Sequence, residues 1–262
     1  MNLLLVIRRA FWLGARDYTA IFTWKTWLTN WFVRVIAQVS FFALVGRMLG
    51  NPGQTQFLLV GNAVTLAAMV GMYAVNMVSW ERSAGTLPLL AASPTHPAVV
   101  LTARGSYLIL DGTLSASGAL LVTAHLFGMP LPWPRAVVVV ALIAVVAASA
   151  YCFGILAGSL LLGFRSVQTI VTNVCLVTLM TLCGVNVPLD YYPEPVRWVS
   201  SVLPLTHGLV AVRLAVTGQW QAALFPALQE ALVGIGWLTL CVLLVTGLFR
   251  RGRLHGTLDY AS

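Results

Sequence analysis

The chain has 262 residues, of which 59% are hydrophobic and only 8% charged, against roughly 25% charged residues in soluble domains. That balance excludes a water-soluble globule, and what six helical crossings leave over is too scattered to form a soluble catalytic domain. The net charge of +8 is spread between apolar runs and not gathered on one face, so it reads as the sidedness mark of a membrane protein, with no nucleic-acid partner.

The first element, over residues 1–26, is an amphipathic helix. At 100° per residue Leu4, Ile7, Phe11, Tyr18 and Phe22 share one side, and Arg9 and Arg16 the other. Such a helix lies in the headgroup plane. The apolar start at 3–7 is too short for a signal-peptide core and runs into Arg8 and Arg9, so this segment is expected to be retained. Trp24, Trp27 and Trp31 follow as an interfacial aromatic cluster.

Six spans are expected, at 32–49, 57–78, 106–127, 136–162, 167–187 and 222–249. Asn51-Pro52-Gly53, the proline-rich turn 129–134 and Gly163-Phe164-Arg165 separate them where helices cannot continue. A longer non-spanning stretch, 188–220, precedes the last span. With both ends in the cytoplasm, eleven basic residues fall inside and only Arg47, Arg135, Arg197 and Arg213 outside, which supports this orientation.

Inside the spans the chemistry is sparse. Cys152, Cys175, Cys183 and Cys241 lie in apolar runs, as small buried hydrophobes do, and the four histidines are too far apart in sequence for a metal site. There is no phosphate-binding G-x-x-x-x-G-K-[ST] loop. Asp111 and Glu230 are the only acids in spans, and the two halves show no repeat, which argues against a gradient-driven carrier. A membrane-embedded enzyme would need more clustered acids and histidines than these. Asp111 shares a helix face with Arg104 and reads as a structural, ion-paired or snorkelling carboxylate; the role of Glu230 stays open. Gly154 and Gly158 permit close helix packing within the chain.

Polar residues recur at helical steps in two spans: Asn62, Thr65, Met69, Met72, Tyr73 and Asn76 in the second, and Gln168, Thr169, Thr172 and Asn173 in the fifth. They should face protein or a cavity and not lipid, through ordinary packing or along a substrate path. Between spans two and three, Glu81-Arg82-Ser83-Ala84-Gly85-Thr86-Leu87-Pro88 runs on to Ser93-Pro94. This short charged and then amphipathic element, 81–97, is either an idle loop or a lever for a soluble partner.

Glu81-Arg82, Gly85-Thr86-Leu87 and Ser93-Pro94, with Leu203-Pro204-Leu205-Thr206-His207 before the last span, resemble the permeases of ATP-binding-cassette type-2 exporters. The likeness covers nearly the whole chain, as one all-α transmembrane domain. It implies six helices, a cytoplasmic coupling helix and re-entrant external helices before the last span. Glu81, Arg82, Gly85, Thr86 and Leu87 would dock on a separate ATPase, with the N-terminal helix beside them. The second and fifth spans would line the dimer interface and the path. Pro188, Tyr191, Tyr192 and Pro204 would belong to an external gate. Pro88 departs from the acid that often follows Gly-Thr-Leu in that family.

The resemblance further implies two ATPase subunits carrying ATP and Mg, no cofactor in this chain, a second permease copy, and residence in a bacterial inner membrane with both termini cytoplasmic. Methionine and tyrosine on the path suit a hydrophobic or amphipathic cargo. A lipid-linked glycan is the rival cargo, disfavoured by the few aromatics in spans two and five. A non-transporting assembly factor is the rival of another class.

Overall fold

In the computed structural model, residues 3–21, 23–83, 85–86, 90, 95–129, 131–161 and 167–255 are described. Among the described residues the regular elements are all helical, with no strand. Helix α1 (Leu3–Ile21) leads through a helical turn (Trp24–Thr26) and a π-helical turn (Trp27–Phe32) into α2 (Val33–Met48). Then come α3 (Pro52–Met72), α4 (Ala74–Ser83), α5 (Pro97–Gly105), α6 (Tyr107–Leu126), α7 (Trp133–Leu160) and α8 (Gln168–Leu182). Two short helices, α9 (Glu194–Val202) and α10 (Thr206–Val216), precede α11 (Trp220–His255).

The helix ends follow local chemistry. Gly50 leaves α2 at φ 72°, a left-handed turn that favours glycine. Asn51 then caps α3 by accepting the Gly53 N–H at 2.8 Å, with Pro52 in the first turn, where its missing donor costs nothing.

Among the described residues four stretches are long and apolar enough to cross a bilayer: Pro52–Met77, Pro97–Leu126, Trp133–Leu160 and Trp220–Arg251. Helices α9 and α10, bent by 87°, make a fifth if the pair counts as one. Helices α2 and α8 are apolar but shorter; the 15 residues of α8 reach about 22 Å, against about 30 Å of hydrocarbon. The six expected crossings thus fall on four long helices and two shorter ones, with a bent pair before the last.

Two boundaries move for physical reasons. The third stretch is already helical at Pro97, since proline is tolerated in a first turn. The fifth ends at Leu182 and not at 187, because Gly184 turns left-handed at φ 75°. The carbonyls of Gly184 and Val185 are taken by the guanidinium of Arg213 instead of by helical N–H groups.

Helix α3 is the centre of the bundle, with nearly every residue from Leu58 to Met72 buried. Small residues allow it: a Cβ on Gly154 would come within 2.8 Å of the Gly71 carbonyl, and one on Gly158 within 2.7 Å of that of Val75. Backbone contact of this kind maximises dispersion where lipid offers no hydrophobic drive. Serine and threonine hydroxyls satisfy themselves on their own helices, as Thr65 does on Gly61, Thr123 on Ala119 and Ser159 on Ile155. Helix α11, by contrast, exposes Leu224, Phe225, Leu228, Leu232, Ile235 and Leu243, as a lipid-facing helix does.

Candidate functional site

At the end of the bundle that carries α1, the last turn of α4 holds Glu81 almost fully buried. Nη1 of Arg104, from α5, lies 2.6 and 2.8 Å from the two oxygens of that carboxylate. Its Nη2 lies 2.8 Å from Oδ2 of Asp17 on α1. The loop then folds back: Gly85 adopts φ 67°, and the Thr86 hydroxyl donates to the backbone carbonyl of Glu81 at 2.9 Å and also bonds its side chain. One guanidinium therefore joins α1, the end of α4 and the end of α5, while Thr86 ties in the loop.

Contacts around Arg104 make that junction rigid. A Cβ on Gly14 would come within 1.9 Å of the Arg104 carbonyl, so α1 lies directly on the α5 backbone. Tyr18 donates to Asp111 Oδ2 and Trp27 Nε1 to Asp111 Oδ1, each at 2.9 Å. The Tyr18 ring also packs against Tyr107 at 5.0 Å. Burial, and next the Asp111 carboxylate, push the Tyr18 phenol upward, so it stays a donor. Asp111, expected to be ion-paired or snorkelling, instead accepts from Tyr18 and Trp27, while Arg104 turns to Glu81 and Asp17.

The packed stripe of α1 is Ala10, Phe11, Gly14 and Tyr18; Leu4 and Ile7, expected on the same apolar face, are exposed. Arg82 lies in the last turn of α4. Leu87, Pro88, Ser93 and Pro94 fall outside the described residues, as do Phe22 and the turn at Gly163-Phe164-Arg165.

Helix α8 packs against α3 and α4, and the two polar stripes differ in their burial. Asn62, Thr65 and Met72 are buried inside the bundle, and Met69, Tyr73 and Asn76 half-buried. Asn62 Nδ2 donates to Leu58 O at 3.0 Å and Asn186 Oδ1 at 2.9 Å. On α8, Thr172 is buried and Gln168 half-buried, whereas Thr169 and Asn173 are exposed on the outside of the chain.

At the far end, the bend between α9 and α10 is a knot of side chain to backbone bonds. Thr206 donates to Ser200 O at 2.7 Å, Trp237 to Val202 O at 3.0 Å, and Cys183 to Pro204 O at 3.4 Å. His207 Nε2 lies 2.9 Å from Ser201 O. A buried helix end needs such partners, because its last carbonyls have none within the helix. Pro204 is buried, Pro188 and Tyr192 half-buried, and Tyr191 exposed; the Tyr192 hydroxyl donates to Thr181 O at 2.5 Å.

A model of the ABC-2 type transporter family matches residues 9–217. The chain belongs to the ABC-2 type transporter family. No curated protein matches it significantly. As an ABC-2 protein it is a membrane subunit of an ABC transporter, a transport component of a generally non-catalytic kind whose relatives work with ABC ATPase subunits. The matched region of this ABC-2 chain takes in the Arg104 junction and the bend, and stops short of α11 and Glu230.

Sequence reasoning missed Asp17 and Arg213 as bonding centres and set Arg104 beside Asp111 alone. The available signal was that an ionisable residue at membrane depth needs a partner, which pointed to opposite charges flanking 81–104 without saying which of them pair.

Proposed function

We propose that the chain is the permease half of an ATP-driven exporter in a bacterial inner membrane. It would hold both termini in the cytoplasm, with α2 and α8 as additional crossings that bring the number of spans to six. Two ATPase subunits, which bind ATP and Mg, would dock at the α1 end, and a second permease copy would complete the pathway. The cargo is a hydrophobic or amphipathic compound leaving the cytoplasm or inner leaflet. Asn62, Thr65, Met69, Met72, Tyr73, Asn76, Gln168, Thr169, Thr172 and Asn173 are the candidate path, and Pro188, Tyr191, Tyr192 and Pro204 belong to the external gate.

The observation that carries this reading is the single guanidinium of Arg104 bonded to Glu81 and Asp17. A coupling loop attached to flexible spans would absorb motion; one braced to α1, α4 and α5 transmits it. On this reading Glu81 and Thr86 stiffen the element from inside, and Arg82, Gly85 and Leu87 would dock with them on the ATPase.

Proteoliposomes containing the permease with its ATPase subunits, assayed with a panel of fluorescent amphipathic dyes, test the proposal. ATP-dependent dye movement is expected for the parent chain. It should be lost in Glu81→Ala and in Arg82→Ala with insertion intact. Parental dye movement in both variants removes the lever.

A further inference from the structure

Helix α10 is held at its two ends by charged side chains outside the Arg104 junction. Glu230, fully buried in α11, accepts the N–H of Leu205 through Oε1 at 2.8 Å and that of Gly208 through Oε2 at 2.9 Å. Donors in the first turn of a helix have no acceptor within it, and a carboxylate there is favoured by the helix dipole. The bonded residue Leu205 is the one described non-glycine residue at positive φ, 86°, so the carboxylate fixes a backbone corner that would otherwise relax.

Near the other end, Arg213 donates to Gly184 O at 2.9 Å, Val185 O at 3.1 Å and Phe57 O at 3.2 Å, and its guanidinium stacks 3.5 Å over the Phe57 ring. Glu230 thus ties the bend to the last helix, and Arg213 ties it to the end of α8 and the first turns of α3. Helix α3 continues through α4 to Glu81 at the opposite end.

We propose that Glu230 and Arg213 are positioning residues that make the bent pair α9–α10 follow α3 and α11, so that displacement of the Glu81 end reaches the corner at Pro204. The inference rests on the ATP-driven reading above. Cys183 supplies a native reporter, since its thiol is buried and bonded to the Pro204 carbonyl.

The test uses the permease–ATPase complex with Cys152, Cys175 and Cys241 replaced by Ala, so that N-ethylmaleimide reads Cys183 alone. In the parent, the labelling rate should change between the nucleotide-free and the ATP–vanadate states. In Glu230→Ala and Arg213→Ala, resting labelling should rise at least on the order of tenfold, the factor that loss of even one of their hydrogen bonds would set. The response to nucleotide should vanish while ATP hydrolysis continues. Glu230→Gln, which keeps one acceptor, and Arg213→Lys, which keeps the charge, should restore part of that response, which a purely structural role does not require. Alanine variants that keep the full nucleotide-dependent change overturn the proposal. So does a loss that follows the amount of inserted protein and is rescued by neither conservative variant. A parent complex that hydrolyses no ATP overturns the ATP-driven reading instead, and is recognised by that activity alone.

Discussion

Arg104 shows how one side chain carries unequal bonds. Its bond to Glu81 is buried, whereas Asp17 is about half exposed. Removing one member of a buried pair strands the other charge and costs about 3–5 kcal/mol, while an exposed pair contributes about 0.2–1 kcal/mol. Arg104→Met should therefore destabilise the protein severely and Asp17→Asn hardly at all, as read from chemical unfolding in micelles. Similar losses for both variants would place the support of Arg104 elsewhere. The double replacement Arg104→Met with Glu81→Leu should recover most of the loss, because no buried charge is then left unpaired. The acid at 81 and its motif are legible in the sequence. Its partner is not, because position 104 becomes a neighbour of 81 only when α5 folds back beside α4 and beneath α1.

At the scale of helices, glycine separates contact surface from lipid surface. A Cβ on Gly158 meets the Val75 backbone at 2.7 to 3.1 Å, while one on Gly236 meets nothing within 4 Å. Gly158→Leu should lower the melting temperature strongly, since overpacking costs about 1–3 kcal/mol or more, and Gly236→Leu should leave it unchanged in the same thermal-shift assay. Gly14→Leu forces α1 off Arg104 and should open α1 to limited proteolysis, with the four long helices intact. Hydropathy alone reveals the long apolar helices, because each buries its own backbone hydrogen bonds and needs only length. It overextends α8, whose end is set by Gly184 and by a guanidinium 29 residues on.

For the molecule as a whole, the exposed polar residues of α8 call for a partner. Thr169 and Asn173 sit on the outside of the chain among exposed Ile170, Val174 and Val177, and amide groups are costly against lipid. A second copy would cover them, so Asn173→Cys should form a disulfide between two chains in oxidised membranes; a product confined to monomer would leave α8 facing lipid. The sequence by itself determined the membrane class, the family motifs, most helices and the turn at Asn51-Pro52-Gly53. Composition, periodicity and helix-breaking residues act locally, so they can be read one residue after another. Only the tertiary structure decided that Asp17, Glu81 and Arg104 form one junction, that Asp111 is held by Tyr18 and Trp27, and that Glu230 secures the bend before its own helix. Those bonds join residues 22 to 93 positions apart, and their choice of partner is settled by which buried charge and which helix end lack any other source of compensation.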